Sequence, residues 1–321
     1  MASHSTNGTR QPVPVKTREL QNHHMDSRIW NDFKFRPDDI IISTWAKSGT
    51  TWLQQIVSQL LNSGNSDVAT NVISPWVEMR IVPDTLDLLN AQKGRRFMKT
   101  HLPIDALVWS PEAKYIFVAR DPRDAIWSLH NHMINATDFF YQVINDTPGR
   151  VGPAYNRPSE NPRELFLEIL KDDKSANLPW PFWEHMRGWL AARSQPNVLL
   201  LHFNDLKADM EGEMRRIAQF LETPELSKDQ WDAAVEHCTF SWMKQHAAAQ
   251  AAPDADQFWA EGAQTFVNKG TNDRWIDVLT EEDNKRLAAK SRQELGEELA
   301  EWLENGYSKS PGSMETIITQ P

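Results

Sequence analysis

Ile40-Ile41-Ile42-Ser43-Thr44-Trp45-Ala46-Lys47-Ser48-Gly49-Thr50-Thr51-Trp52 is the stretch that decides the fold. Three successive β-branched residues, Ile40 to Ile42, predict a buried strand, and Leu53, Ile56, Val57, Leu60 and Leu61 then recur at helical spacing. Strand, tight loop and helix follow one another directly. The loop carries a lysine, a glycine, a serine and two threonines, so its N–H groups, its hydroxyls and the positive end of the helix can converge on one anion. It is not a Walker A loop, in which the lysine follows the second glycine, because Lys47 precedes the only glycine here.

Around this loop lies a chain of 321 residues, a length that suits one large domain with a substantial core. Apolar residues make up 40% and charged residues 24%, ordinary globular values; the 14 tryptophans are unusual, and most are expected in the core. A net charge of −10 argues against a broad nucleic-acid footprint, yet a local cluster of Lys and Arg can still hold a small polyanion. Cys238 is the sole cysteine, which excludes a disulfide framework or a Cys-based zinc site within one chain and fits a reducing cytoplasm. Met1 to Gln21 is polar without the apolar core of a secretory signal, and no apolar run approaches the roughly 20 residues of a membrane span. The expected division is a mobile tail over 1–24, one domain over 25–307 and a loose tail over 308–321.

Three further apolar runs are expected strands: Phe97-Met98-Lys99-Thr100-His101, Tyr115-Ile116-Phe117-Val118-Ala119-Arg120 and Val198-Leu199-Leu200-Leu201-His202-Phe203. Each ends in residues able to meet a ligand, and in open α/β sheets ligands bind outside the carboxyl ends of strands. Asp121-Pro122 starts a helix, with Asp as the cap and Pro at the first position. Ser74-Pro75-Trp76-Val77-Glu78 is expected as a surface segment beside the cleft. From Asn135 to Pro179 the periodicity loosens, which suggests a long loop acting as a lid over an acceptor pocket. Amphipathic helices are expected near 182–190, 209–221 and 228–237, with one long helix over 281–303.

The hexapeptide Lys47-Ser48-Gly49-Thr50-Thr51-Trp52 resembles the loop of the sulfotransferases that use 3′-phosphoadenosine-5′-phosphosulfate (PAPS). Three more segments are similar to that family in the same order, from Ile40 to Trp275. The resemblance implies one α/β domain with a central parallel sheet flanked by helices, a P-loop-like nucleotide-binding fold. It implies that Lys47, Ser48, Gly49, Thr50 and Thr51 hold the 5′-phosphosulfate and that Trp52 stacks on adenine. In Lys99-Thr100-His101-Leu102-Pro103 it makes His101 the catalytic base and sets Lys99, with Lys47, on the transferring group. Arg120 and Ser128 fall where the family binds the 3′-phosphate. Phe203 replaces a tyrosine that contacts adenine; it can pack on the base without donating a hydrogen bond. In Cys238-Thr239-Phe240-Ser241-Trp242-Met243, Thr239 and Phe240 are the base contacts. In the segment from Asn268 to Trp275, Lys269 and Gly270 match the 3′-phosphate loop, Asn268 stands for an arginine, and Arg274 restores the missing charge from another angle.

Trp76 matches an aromatic beside the acceptor, and Phe139, Phe140, Tyr141 and Trp180 are expected as further walls, favouring a phenol or other apolar alcohol or amine. The middle region also resembles bacterial sulfotransferases of unassigned or lipid-directed acceptor, so a lipid or glycolipid hydroxyl is the alternative acceptor. The family implies PAPS as donor, adenosine 3′,5′-bisphosphate (PAP) as product and no metal. Oligomeric state stays open between monomer and homodimer, since the dimerisation segment of many cytosolic relatives is not found. Two rivals from other classes are a P-loop-like nucleotide kinase, disfavoured by the missing Walker lysine, and a non-catalytic PAP-binding protein, disfavoured by the intact Lys47, Lys99 and His101.

Overall fold

The apolar runs become four strands of one parallel sheet: β1 (Ile40–Thr44), β2 (Phe97–Thr100), β3 (Lys114–Ala119) and β4 (Val198–His202), in the order β2-β1-β3-β4. The computed structural model describes residues 12–149, 151–172, 174, 178, 180–250 and 255–307; residues 1–11 of the tail expected over 1–24, and the tail expected over 308–321, lie outside them. Both faces of the sheet are covered, which is why the strands read as unbroken apolar runs. Ile41, Met98, Tyr115 and Phe117 enter one core. Ile40, Ile42, Phe97, Ile116 and Val118 enter the other, against Leu53, Ile56, Val57 and Leu60 of helix α1 (Thr50–Leu61).

The register places Ser43 opposite Thr100, Thr44 opposite Val118 and Ala119 opposite His202, so the four strands end together along one edge. The chain leaves β1 toward β2 on one side and returns to β3 on the other. Between β1 and β3 therefore lies a topological switch point, where the loops after the two strands diverge and open a crevice. At the opposite end, Arg96 and Asp39 form an ion pair with side chains 0% and 1% exposed, with Arg96 Nε donating to Asp39 Oδ1 at 2.8 Å.

Four expectations need correction. Ser74 to Glu78 is not surface: Val77 and Glu78 are buried, Val77 N donates to Lys99 O at 3.1 Å, and Lys99 N donates to Pro75 O at 3.0 Å. These bonds cover the outer edge of β2, where unpaired backbone would be exposed. The segment from Asn135 to Pro179 contains two helices, Asp138–Asp146 and Pro162–Lys171. Thr137 and Asn161 cap them, and Leu165, Phe166 and Ile169 of the second are buried, a 3.6-residue pattern hidden by the Pro- and Gly-rich stretch between the helices. The long terminal helix is two, Glu281–Leu295 and Glu297–Asn305, broken at Gly296 with φ 80°. Residues 12–24 run along the domain: Thr17 N and Arg18 N donate to Asp105 O at 2.8 and 3.2 Å, and His23 and His24 are buried. The boundary after residue 24 thus cuts a segment that packs as a unit.

Candidate active site

The loop after β1 is shaped by two left-handed residues, Lys47 (φ 65°) and Gly49 (φ 102°). Gly49 is required on two counts: its φ favours glycine, and a Cβ there would lie 2.7 Å from Phe203 Cδ2. Gly49 caps α1 without a side-chain bond, which leaves the N–H groups of the first turn available to an anion. Thr50 Oγ1 lies 2.6 Å from Thr44 Oγ1, tying the loop to the strand end. Ser48 Oγ is buried without a hydrogen-bond partner. Across the switch point Arg120, just past β3, donates through Nη1 to Lys47 O at 2.8 Å and through Nη2 to Asn272 Oδ1 at 2.8 Å. It thereby joins the loop after β1 to the loop around residue 270, while its Nε stays buried and unpartnered. Among the described residues Arg120 has no salt bridge: Asp121 pairs with Arg123, and Asp124 Oδ1 accepts from Asp273 N at 2.8 Å.

His101 follows β2. Its Nδ1 lies 2.8 Å from Thr44 O. Its ring meets the Trp76 ring edge-on at 4.7 Å and stacks on Trp180 at 5.6 Å. Burial, then the charge of Lys99 and more weakly that of Lys47, push the imidazole down to about 3 against the opposing pull of the Thr44 carbonyl, so it is neutral near pH 7. Burial likewise lowers Lys47 and Lys99, each to about 8; Arg120 and Lys99 add to the effect on Lys47. Beneath them sits Glu78, a residue whose role is not visible in the sequence. Its Oε1 accepts from Trp76 Nε1 at 2.6 Å, His101 N at 2.7 Å and Thr100 Oγ1 at 2.9 Å, and its Oε2 from Trp30 Nε1 at 3.0 Å. Burial raises its pKa, an effect these four donors oppose.

Lys47, Lys99 and His101 all line one cavity of about 1090 Å³. On the β1–β3 side its wall includes Trp52, Arg120, Ser128, Thr239, Phe240 and Gly270, and Asn268 also reaches it. Trp52 Nε1 donates to Cys238 O at 2.9 Å, and the indole meets Phe203 edge-on at 5.6 Å. Phe203 lies under Gly49 with the Arg120 guanidinium 4.2 Å from its ring centre. Asn268 Oδ1 accepts from Arg274 Nη1 at 2.7 Å, and that guanidinium sits 3.5 Å over Trp127, on the cavity wall. Lys269 is exposed and does not line the cavity; Lys207 does, and donates to Gly270 O at 3.2 Å. On the other side Trp76, Phe139, Phe140 and Trp180 line the space, joined by His24, Tyr155 and Trp259. Tyr141 is outside it, with its hydroxyl donating to Met133 O at 2.7 Å. His24 and Tyr155 are far from the recognised motifs, and their sequence neighbours carry no signal of a pocket. Among the described residues no cluster of His, Cys, Asp and Glu is arranged to hold a metal, and no helix is long and apolar enough to cross a membrane.

A parallel sheet with a phosphate-type loop at its switch point, and two lysines and a neutral histidine beside it, defines a nucleotide-dependent group-transfer fold. Residues 37–299 match the sulfotransferase domain family, and the chain belongs to that family. It is 30% identical over 307 residues to a glycolipid sulfotransferase of Mycobacterium bovis, covering 88% of this chain and 92% of the relative. In fold it is similar to mouse sulfotransferase SULT7A1 complexed with PAP, with TM-score 0.65, 20% identity and coverage of 88% and 92%. It is also similar to retinol dehydratase in a complex with retinol and PAP, with TM-score 0.65, 24% identity and 84% of each chain covered.

Proposed function

We propose that the protein transfers the sulfuryl group of PAPS to the hydroxyl of an apolar acceptor and releases PAP. The observation that carries this reading is the convergence of Lys47, Lys99 and His101 on one cavity, with Nδ1 of His101 committed to Thr44 O. The donor fits the chain's own residues. Ser48 Oγ and Arg120 Nε are buried polar atoms without partners, and the close approach of Phe203 to Gly49 leaves no room for a side chain in the cradle. In this assignment the loop from Lys47 to Thr51 binds the 5′-phosphosulfate, Trp52, Phe203, Thr239 and Phe240 border the base, and Arg120, Ser128, Asn268, Gly270 and Arg274 surround the 3′-phosphate. Lys269, being exposed, is left to contribute through its backbone.

When bound, PAPS supplies a sulfuryl group already joined to a phosphate leaving group. His101 Nε2 takes the proton as the acceptor oxygen bonds to sulfur, and the bridging S–O bond breaks with its electron pair going to the phosphate oxygen. Lys47, Lys99 and the N–H groups at the start of α1 stabilise the charge that develops there. Burial is the largest effect lowering His101, and the charges of Lys99 and Lys47 add to it; an anion against those two lysines offsets their part and moves the imidazole toward the range a general base needs. No metal is needed in this scheme, and activity is expected to persist in EDTA. The unpaired, buried Cys238 goes with a cytoplasmic setting.

A second reading, a lipid or glycolipid hydroxyl as acceptor, is favoured by the cavity rim. Val72, Val82, Leu88 and Phe139 line the cavity and are 50%, 43%, 38% and 45% exposed, an apolar lip over which a chain could leave. Calorimetric titration with PAP, and separately with ATP and Mg²⁺, tests the class: binding of PAP in metal-free buffer supports it, and binding of ATP with Mg²⁺ alone overturns it in favour of a kinase. Sulfation of phenols against glycolipids then separates the two acceptor readings, and PAP binding without any turnover would point to a non-catalytic binding protein.

A further inference from the structure

The cavity wall holds two polar side chains that the proposed reaction does not use. Tyr155 is 2% exposed and His24 is 7% exposed, and both line the cavity. Among the described residues the Tyr155 hydroxyl has no hydrogen-bond partner. Among the described residues the polar contact of the His24 ring is from its Nδ1 to His23 Nδ1, at 2.5 Å. Nε2 of His24 is left without one. Both residues line the cavity, and a polar atom there that no protein group satisfies pairs with water or with a ligand, so two side by side mark a place for a ligand atom.

Both are held firmly. Asn145 clamps Tyr155, accepting from Tyr155 N at 2.7 Å and donating to Tyr155 O at 2.9 Å. His24 N donates to Asn22 Oδ1 at 2.8 Å, and His24 O accepts from Arg80 N at 2.9 Å. Their rings meet edge-on at 4.5 Å. From there a ladder of rings leads to the reaction centre: His24 stacks on Trp76 at 6.2 Å, and Trp76 meets His101 at 4.7 Å. One end of the ladder is the base, the other is the His24–Tyr155 pair, and the Trp76 ring spans the interval.

We propose that the acceptor is bifunctional: an apolar body with the reacting hydroxyl at His101 and a second, neutral hydrogen-bonding group, a hydroxyl or carbonyl, held by His24 Nε2 and the Tyr155 hydroxyl. This rests on the sulfotransferase reading of the site. A phenol O–H both donates and accepts, and whichever role His24 Nδ1 takes toward His23 leaves Nε2 with the other, so the pair matches a neutral group rather than an ion. Two charges near the pair are engaged elsewhere. Glu78 is engaged by four donors, and the Arg80 guanidinium donates to the carbonyls of Asn22, His23, Thr147 and Pro148 and does not line the cavity.

The test uses the full chain saturated with PAP, titrated calorimetrically with 4-phenylphenol and with 4,4′-dihydroxybiphenyl, which share an apolar body and differ in the distal hydroxyl. The diol is expected to bind about ten-fold more tightly, well beyond the two-fold advantage of two equivalent ends. Tyr155→Phe and, independently, His24→Phe should each bring the ratio of the two affinities down to the roughly two-fold expected of equivalent ends. With PAPS present, the loss should appear in KM for the diol and not in kcat. Equal affinities in the wild type, equal weakening of both ligands by the variants, or failure of both phenols to bind PAP-loaded protein would overturn the bifunctional acceptor. Failure of PAP itself to bind would instead remove the sulfotransferase reading on which it rests.

Discussion

Nδ1 of His101, at the end of β2, lies 2.8 Å from the carbonyl oxygen of Thr44, at the end of the neighbouring β1. A carbonyl can only accept, so Nδ1 carries the hydrogen and Nε2 keeps the lone pair on the ring. The sheet itself thus sets the tautomer a general base requires. His101→Ala should leave PAP affinity within about two-fold and reduce turnover by about 10²–10⁴. Rapid-quench or steady-state sulfation assays decide this; a variant retaining near-normal turnover would remove His101 as the base.

Glu78 binds Trp76 Nε1, Thr100 Oγ1 and the N–H of His101 with one oxygen and Trp30 Nε1 with the other. Glu78→Gln replaces one acceptor by an NH₂ group that faces donors. A loss of about 1–3 kcal/mol in stability is expected, from one buried donor left without an acceptor. Turnover should fall while PAP affinity is kept, because the shell disturbed is that of His101 and Trp76. Urea midpoints and calorimetry on the same preparation separate the two effects.

Asn272 Oδ1 receives Arg120 Nη2, and Asn272 Nδ2 donates to Asn204 Oδ1 at 2.6 Å. Asn272→Ala should loosen the guanidinium that bridges the two loops. A hydrogen bond to a charged group contributes about 1.5–3 kcal/mol, so PAP binding should weaken by about ten-fold or more. Unchanged PAP affinity would show that Arg120 is held by Lys47 O and Thr271 O alone.

Acid should destabilise the fold through its buried imidazoles, with Asp124, raised to about 6 chiefly by burial, working in the opposite direction. Burial lowers His101 to about 3 and His202 to about 4, below the usual value of 6.5 that each regains on unfolding. Between pH 6.5 and 4 these two groups therefore bind more protons in the unfolded chain than in the folded one, and the stability they contribute drops as pH falls. Each group contributes about 1.4 kcal/mol per pH unit at most in that window. The urea midpoint should be lower at pH 5 than at pH 7, and a constant midpoint would contradict neutral burial of these imidazoles.

Asp39→Ala should cost about 3–5 kcal/mol, because it leaves Arg96 charged, buried and uncompensated at the amino end of the sheet. Since that end is remote from the cavity, the folded fraction should retain its PAP affinity. Thermal unfolding with and without PAP checks both statements.

Features of the chain that rest on local chemistry were legible in the sequence. The Ile40–Thr44 run makes a strand, and Gly49 adopts a backbone angle that suits glycine. The apolar spacing after Thr50 makes a helix, and Asp121-Pro122 caps the next. The motifs were read in order, and most of their residues reach the cavity, including Lys47, Lys99, His101, Trp76 and Ser128. Where the reading departed from the structure, local signals were weak or misleading. Pro and Gly between residues 149 and 162 concealed the flanking helices, and a polar run after residue 12 looked like a tail although it carries His23 and His24 into the core.

By itself, then, the sequence determined the four strands, the anion-binding loop and the residue types at the strand ends, because backbone preference and apolar periodicity act over a few neighbouring residues. Only the tertiary structure decided which of those side chains meet. It set Glu78 beneath His101, gave Arg120 to Lys47 O and Asn272, left Lys269 and Tyr141 off the cavity wall, and placed His24 beside Tyr155. The reason is geometric: these contacts join residues tens to more than a hundred positions apart, and they follow from strand order and register, which no local pattern specifies.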